Sequence, residues 1–135
     1  MPHLVIVYTP NLEGETDMGV LCRTLADTMI GVKDENAQAV FPVGGVRVLA
    51  YPAAHSAVAD ADPARDYGFV YLNLRMGYGR SDAIKTRAGD ALLARAKAHF
   101  DPIFSKRHLG ITLQIDEGAE VYNAKHSNIH PLFPH

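Results

Sequence analysis

A chain of 135 residues, 47% hydrophobic and 21% charged, has the length and balance of one ordinary globular domain with its own core. Thirteen Lys and Arg against fifteen Asp and Glu leave a formal net charge of −2, so composition gives no basic surface for non-specific nucleic-acid binding. The one cysteine, Cys22, excludes an intrachain disulfide. No window approaches the ~18 apolar residues of a membrane span, and the short apolar start has no basic leader, so a soluble, cytoplasmic protein is expected.

Pro2 stands directly ahead of residues 4–8, LVIVY, an unbroken apolar run rich in β-branched residues that predicts a strand covered on both faces. Proline is tolerated as the first residue of a strand, so Pro2 reads either as an edge residue or as a group whose nitrogen works. Thr9-Pro10-Asn11 ends the strand. Met18, Leu21, Cys22, Leu25 and Met29 recur at helical spacing, with Gly31 as the stop. Residues 33–43 read as a loop, punctuated by Phe41-Pro42 and Gly44-Gly45, and residues 46–51, VRVLAY, as a second strand. Residues 52–65, rich in Ala, Asp and Pro, read as a long surface turn.

The second half repeats the scheme. In residues 67–75, YGFVYLNLR, Val70, Leu72 and Leu74 alternate with Phe69 and Tyr71, as in a strand. A glycine-rich turn over 76–80 follows. Ser81 is placed to cap a helix that carries Ile84, Ala88, Ala91, Leu92, Phe100 and Ile103 on one face. Asp101-Pro102 is expected to kink that helix or split off its last turn. Leu109, Ile111, Leu113 and Ile115 alternate with polar residues in a fourth strand. The pattern is one domain of two β-α-β units, over about residues 3–51 and 67–117, followed by a C-terminal arm over about 118–135. Each unit pairs its strands in parallel through a right-handed crossover. Side by side they give an α/β fold (α+β in some schemes) with a four-stranded sheet and both helices on one face. The other face is left bare, and self-association is expected to cover it.

No HExxH or paired Cys/His spacing marks a metal site. His126 and His130 are four apart, but HSNIHPLFPH carries Pro131 and Pro134 and no helical pattern, so no metal is expected there. Cys22 reads as a buried, inert thiol. GYGRS lacks the GxxxxGK[ST] arrangement of a phosphate loop. Two arginines are more suggestive. Arg47 interrupts an apolar strand, and Arg80 follows a glycine turn at a helix start. Each is a surface charge on the plainest reading. Arginine is also the side chain best suited to grip a carboxylate through two parallel hydrogen bonds.

PHLVIVY at the start, then FPVGGVRV, DYGFVYLNLRMGYGRS and NAKHSNIHPLF, in this order and at these separations, resemble the 5-carboxymethyl-2-hydroxymuconate isomerase family of the tautomerase superfamily. The resemblance runs over nearly the whole chain and is weakest over residues 11–38 and 52–62. It implies a tautomerase-like tandem β-α-β fold with a mixed sheet, assembled as a homotrimer. It also implies that Met1 is removed and that the secondary amine of Pro2 is the catalytic acid/base. Arg47 and Arg80 match the family's two arginines, which face the carboxylates of a small di- or tricarboxylate and polarise its 2-keto or 2-hydroxy end. No metal and no organic cofactor is implied. His3 and Tyr8 on the first strand, and Asn128 in the last block, are candidates for lining the site. The arm is expected to reach a neighbouring subunit or to close the pocket. The implied reaction, in aromatic-compound catabolism, is proton transfer that turns a 2-hydroxymuconate dienol into its 2-oxo-3-ene isomer. The alternatives are an enzyme of this fold acting on another small 2-keto or unsaturated acid, and a non-catalytic trimeric relative.

Overall fold

The computed structural model describes residues 2–133; Met1, whose removal is expected, and the last two residues of the arm lie outside them. Strand β1 (His3–Tyr8) buries Leu4, Ile6 and Tyr8 on one face and leaves His3 and Val7 exposed on the other. Burial on both faces, as the apolar run suggests, is therefore not met within one chain. Helices α1 (Met18–Ile30) and α2 (Asp82–Phe104) supply buried apolar residues to the core that holds Leu4 and Ile6. On the opposite face Val7 is 37% exposed, Leu49 46% and Tyr51 51%, an apolar surface that a single chain leaves in water.

Each helix forms where the sequence provides both a cap and a stripe. The Asp17 side chain accepts from the Val20 amide at 3.1 Å, and Leu21, Leu25 and Met29 then point inward at one-turn spacing. Gly31 closes α1 in the right-handed region, at φ −80. The Ser81 hydroxyl accepts from the Ile84 amide at 3.2 Å, and Ala88, Leu92, Ala96 and Phe100 line the buried side of α2. The last turn does not split off at Asp101-Pro102, and α2 runs through Pro102 to Phe104. Pro102 falls in the last turn, where it withholds a donor from the Ala98 carbonyl. Phe100 and Ile103, buried on either side of it, pack this turn against the core. Truncating Leu72 at the centre of this core to Ala is expected to cost about 2–5 kcal/mol, read from urea unfolding.

β2 (Arg47–Pro52) pairs parallel with β1, and β3 (Gly68–Gly77) pairs antiparallel with its other side. β4 (Leu109–Gly118) lies parallel to β3, so the mixed sheet has the order β2-β1-β3-β4. The antiparallel pair at the centre decides what each end of the sheet holds. His3 is in register with Arg75, and Tyr8 with Val70. The starts of β1 and β2 therefore share one end with the last residues of β3 and β4. The connector over 53–67 lies at the other end, where the Ala53 amide donates to the Tyr8 carbonyl at 2.8 Å. No helix among the described residues is long and apolar enough to cross a membrane.

One polar contact in this frame is pH-sensitive. His99 Nε2 lies 2.7 Å from Thr16 Oγ1, and its ring meets Phe100 edge-on at 5.0 Å. Burial lowers the His99 pKa from 6.5; nearby Asp17 opposes the shift but does not reverse it. A lowered folded pKa means that the unfolded chain binds the proton more readily. This contribution to stability is complete above the unfolded value of 6.5 and is lost as pH falls through the lowered folded value. The wild-type melting temperature is expected to drop between about pH 7 and pH 5, and to drop less in His99→Gln. Equal slopes in the two proteins would refute this role for His99.

Candidate active site

The end of the sheet that holds the chain start gathers most of the candidate groups. Pro2 is buried one residue ahead of β1. His3 follows on the open face, in register with Arg47 of β2 on one side and Arg75 of β3 on the other. Arg75 in turn faces Asp116 of β4, so one row across the sheet reads Arg47, His3, Arg75, Asp116. Charge acts within two neighbouring pairs of this row, Arg47 with His3 and Arg75 with Asp116. His3 is largely exposed, but the partial desolvation it does undergo lowers its pKa, and positive charge nearby, that of Arg47 included, lowers it further. Hydrogen bonds from Gln114 and Asn73 hold the Asp116 carboxyl below its usual range, with the Arg75 charge adding to them.

Arg47 is anchored at one nitrogen. Its Nη1 donates to the Gly44 carbonyl at 2.8 Å and to the Val46 carbonyl at 2.9 Å. Among the described residues, that leaves Nη2 and Nε, the edge of the guanidinium that matches a carboxylate in a two-bond fork. Arg80 is anchored differently. Gly79, at φ +122, makes the turn that leads out of β3 and places Arg80 just ahead of α2. The Arg80 guanidinium carbon lies 5.0 Å from the centroid of the Phe41 ring, a cation–π arrangement, and Nη2 donates to the Val40 carbonyl at 3.4 Å. Phe41 is fully buried, so the ring is a fixed platform. Both arginines thus tie to the same stretch, residues 40–46, which enters β2. Half-buried guanidinium groups fixed on rigid anchors suit the binding of an anionic substrate, because little side-chain entropy remains to be lost.

The other candidates are placed apart. Tyr8 sits at the far end of β1, about 20 Å from Pro2 at the usual rise of ~3.3 Å per strand residue. It faces the core, its hydroxyl donates to Glu13, and its pKa is pushed up to about 12, chiefly by burial and then by that bond. One chain does not bring it to the other groups. Asn128 lies exposed on the arm, two residues before the turn His130–Leu132, which packs on Val43–Gly45 near Arg47. His126 and His130 do not share an α-helical face, since the arm over 119–129 carries no helix. Cys22 is half-buried, and burial raises its thiol pKa. Of the two loops 33–45 and 52–66, the first borders the site end through Val40, Phe41 and Gly44, and the second starts at the opposite end of the sheet.

Clefts do not locate the chemistry. One of about 850 Å3 opens between α1 and α2, and one of about 750 Å3 around Glu15, Asp66 and Arg107. In the second, Arg107 is already ion-paired with Glu15 and Asp66 at 2.6 Å each. Sequence reasoning missed Phe41 and Gly44 as anchors, because their contacts with Arg80 and with the arm join distant parts of the chain. It also missed Arg75, although the alternation along β3 places it on the face of Tyr71 and Asn73.

The model of the family described as 5-carboxymethyl-2-hydroxymuconate isomerase matches residues 2–133. The 5-carboxymethyl-2-hydroxymuconate Delta-isomerase of Escherichia coli is 29% identical over 133 residues, covering 98% of this chain and 99% of that one. A crystal structure of a 5-carboxymethyl-2-hydroxymuconate delta-isomerase is 53% identical with a TM-score of 0.94, covering 100% of this chain and 94% of that chain. A 5-carboxymethyl-2-hydroxymuconate isomerase from Deinococcus radiodurans R1 is 36% identical with a TM-score of 0.85, covering 99% and 95%. At 18% identity and a TM-score of 0.57, over 93% of this chain and 92% of that chain, a fused 4-OT symmetric trimer shares the fold. Together with the tandem β-α-β architecture and a buried proline leading into β1, these matches establish that the chain belongs to the 5-carboxymethyl-2-hydroxymuconate isomerase family.

Proposed function

We propose that the chain isomerises 5-carboxymethyl-2-hydroxymuconate to its 2-oxo-3-ene isomer, with Pro2 as general acid/base and Arg47 and Arg80 as the groups that bind and polarise the substrate. The observation that carries this reading is the family match from Pro2 onward, with Pro2 buried at the sheet end where both arginines are anchored. With Met1 removed, the Pro2 nitrogen is a secondary amine. An α-amino group titrates near 7.7–8.0, and burial moves it lower, which leaves a useful fraction unprotonated at neutral pH. The ring and the strand behind it fix the direction of the lone pair.

The step is an internal proton transfer. Pro2 takes the proton of the 2-hydroxyl, the C2–O bond becomes a carbonyl, the double bonds shift along the chain, and the same nitrogen delivers the proton to the distal carbon of the former diene. Atoms and electrons balance within the substrate. Negative charge on the dienolate oxygen is met by a guanidinium that stays protonated throughout. The other arginine grips a carboxylate by its two-nitrogen edge.

A homotrimer completes the proposal. It gives the open face with Val7, Leu49 and Tyr51 a partner, and the fused 4-OT protein that shares the fold is described as a trimer. The single unpaired cysteine fits a reducing cytoplasm. The test is spectrophotometric: purified protein is expected to accelerate decay of the dienol absorbance of 5-carboxymethyl-2-hydroxymuconate, and decay no faster than in buffer eliminates the reading. Light scattering on the same sample is expected to give three times the 14.7 kDa chain mass.

A further inference from the structure

Gly44 lies in a short 3-10 turn, Val43–Gly45, just ahead of β2. Its φ is outside the left-handed region, so backbone conformation does not call for glycine there. Space does. A Cβ at Gly44 would stand 3.0 Å from His130 Cα, 3.1 Å from His130 Nδ1 and 3.4 Å from Phe133 Cδ2. The turn His130–Leu132 is thus seated on the Gly44 backbone at the end of an arm that is exposed from 119 to 129. The Gly44 carbonyl accepts from Arg47 Nη1 at 2.8 Å. A chain end that docks after a long exposed run loses conformational freedom, and here the docking point adjoins an arginine of the site.

From this series of contacts we infer that the C-terminal turn is a positioning clamp for Arg47. His130 and Phe133 hold the Gly44 backbone, and Gly44 with Val46 holds Nη1, so that the Nη2–Nε edge is fixed in direction. The inference rests on the reading of Arg47 as a substrate-binding group. His130 and Phe133 are positioning residues that act through the Gly44 carbonyl. Docking of the arm and affinity for the substrate carboxylate then rise and fall together.

The test uses the full chain. Gly44→Val places a side chain in the seat of the turn, while His130→Ala and Phe133→Ala thin the clamp without a clash. Each is assayed alone and combined with Arg47→Ala, with melting temperature as a folding control. Gly44→Val is expected to lower kcat/KM on the order of tenfold, mainly through KM, as for residues in one network. His130→Ala and Phe133→Ala are expected to act in the same direction by less. In the Arg47→Ala background none should cost anything further. The same loss in both backgrounds, or wild-type kinetics in all three variants, overturns the clamp. If Gly44→Val does not fold, the two alanine variants carry the comparison. Amide hydrogen exchange over residues 43–47 gives a readout that needs no activity. It is expected to quicken in His130→Ala, and unchanged exchange overturns the clamp. An inactive wild type would remove the functional reading instead, and exchange alone would then decide whether the arm holds the turn.

Discussion

Arg47→Ala and Arg80→Ala are each expected to lower kcat/KM for 5-carboxymethyl-2-hydroxymuconate by on the order of 10²-fold or more, as when a charge-assisted contact in the transition state is lost. The two losses differ in origin. Arg47 is held by two carbonyls through one nitrogen and keeps a two-nitrogen edge for an anion. Arg47→Lys retains the charge and lacks that edge, so it is expected to recover only part of the loss. Arg80 rests on the buried Phe41 ring. Its removal costs a cation–π contact of about 0.5–1 kcal/mol, too little to unfold the chain, so the loss of rate is separable from loss of fold by melting temperature. Near-wild-type kinetics in both alanine variants would show that the arginines are surface charges, the plainest reading of each.

Pro2→Ala is the second large effect. The variant keeps an N-terminal amine, now primary and free to rotate. It loses the ring that fixes the nitrogen and the steric fit of a buried residue. A positioned general acid/base contributes about 10²–10⁴-fold, and a fall in kcat of at least the lower figure is expected. KM should change little, because the carboxylate contacts are assigned to Arg47 and Arg80. A large rise in KM with unchanged kcat would move Pro2 from the chemistry to binding.

Much of this fold is legible in the sequence because it is written locally. The alternation from Phe69 to Leu74 is an inward–outward strand, and the stripes of α1 and α2 follow helical period behind Asp17 and Ser81 caps. What fails, fails where a distant contact overrides a local preference. Asp101-Pro102 reads as a place where the last turn could split off, yet α2 continues through it, with Phe100 and Ile103 buried on either side. LVIVY reads as a strand covered on both faces, yet one chain covers only the Leu4 side. Nothing within the strand itself distinguishes the covered face from the open one.

The site follows the same division. Pro2, Arg47 and Arg80 stand out by residue type and setting, and the register of β1 with β2 and β3 brings their elements to one end. Tyr8 lies on the strand that Pro2 leads into, but side-chain parity and six residues of rise set it in the core at the other end. The supports of the arginines are not legible. FPVGG reads as punctuation, and nothing local says that Phe41 will carry the Arg80 guanidinium or that Gly44 will seat His130.

The central claim is that the Pro2 nitrogen is the base, and it depends on a single covalent bond. The deciding measurement compares initial isomerisation rates for two preparations of this chain, distinguished by intact mass. One has Pro2 as the N-terminus and the other retains Met1. Retained methionine turns the amine into an amide, which cannot accept the proton, and leaves Arg47 and Arg80 unchanged. The form starting at Pro2 is expected to turn over the dienol, with the retained form slower by about 10²–10⁴-fold. Equal rates for the two forms would contradict the assignment of Pro2.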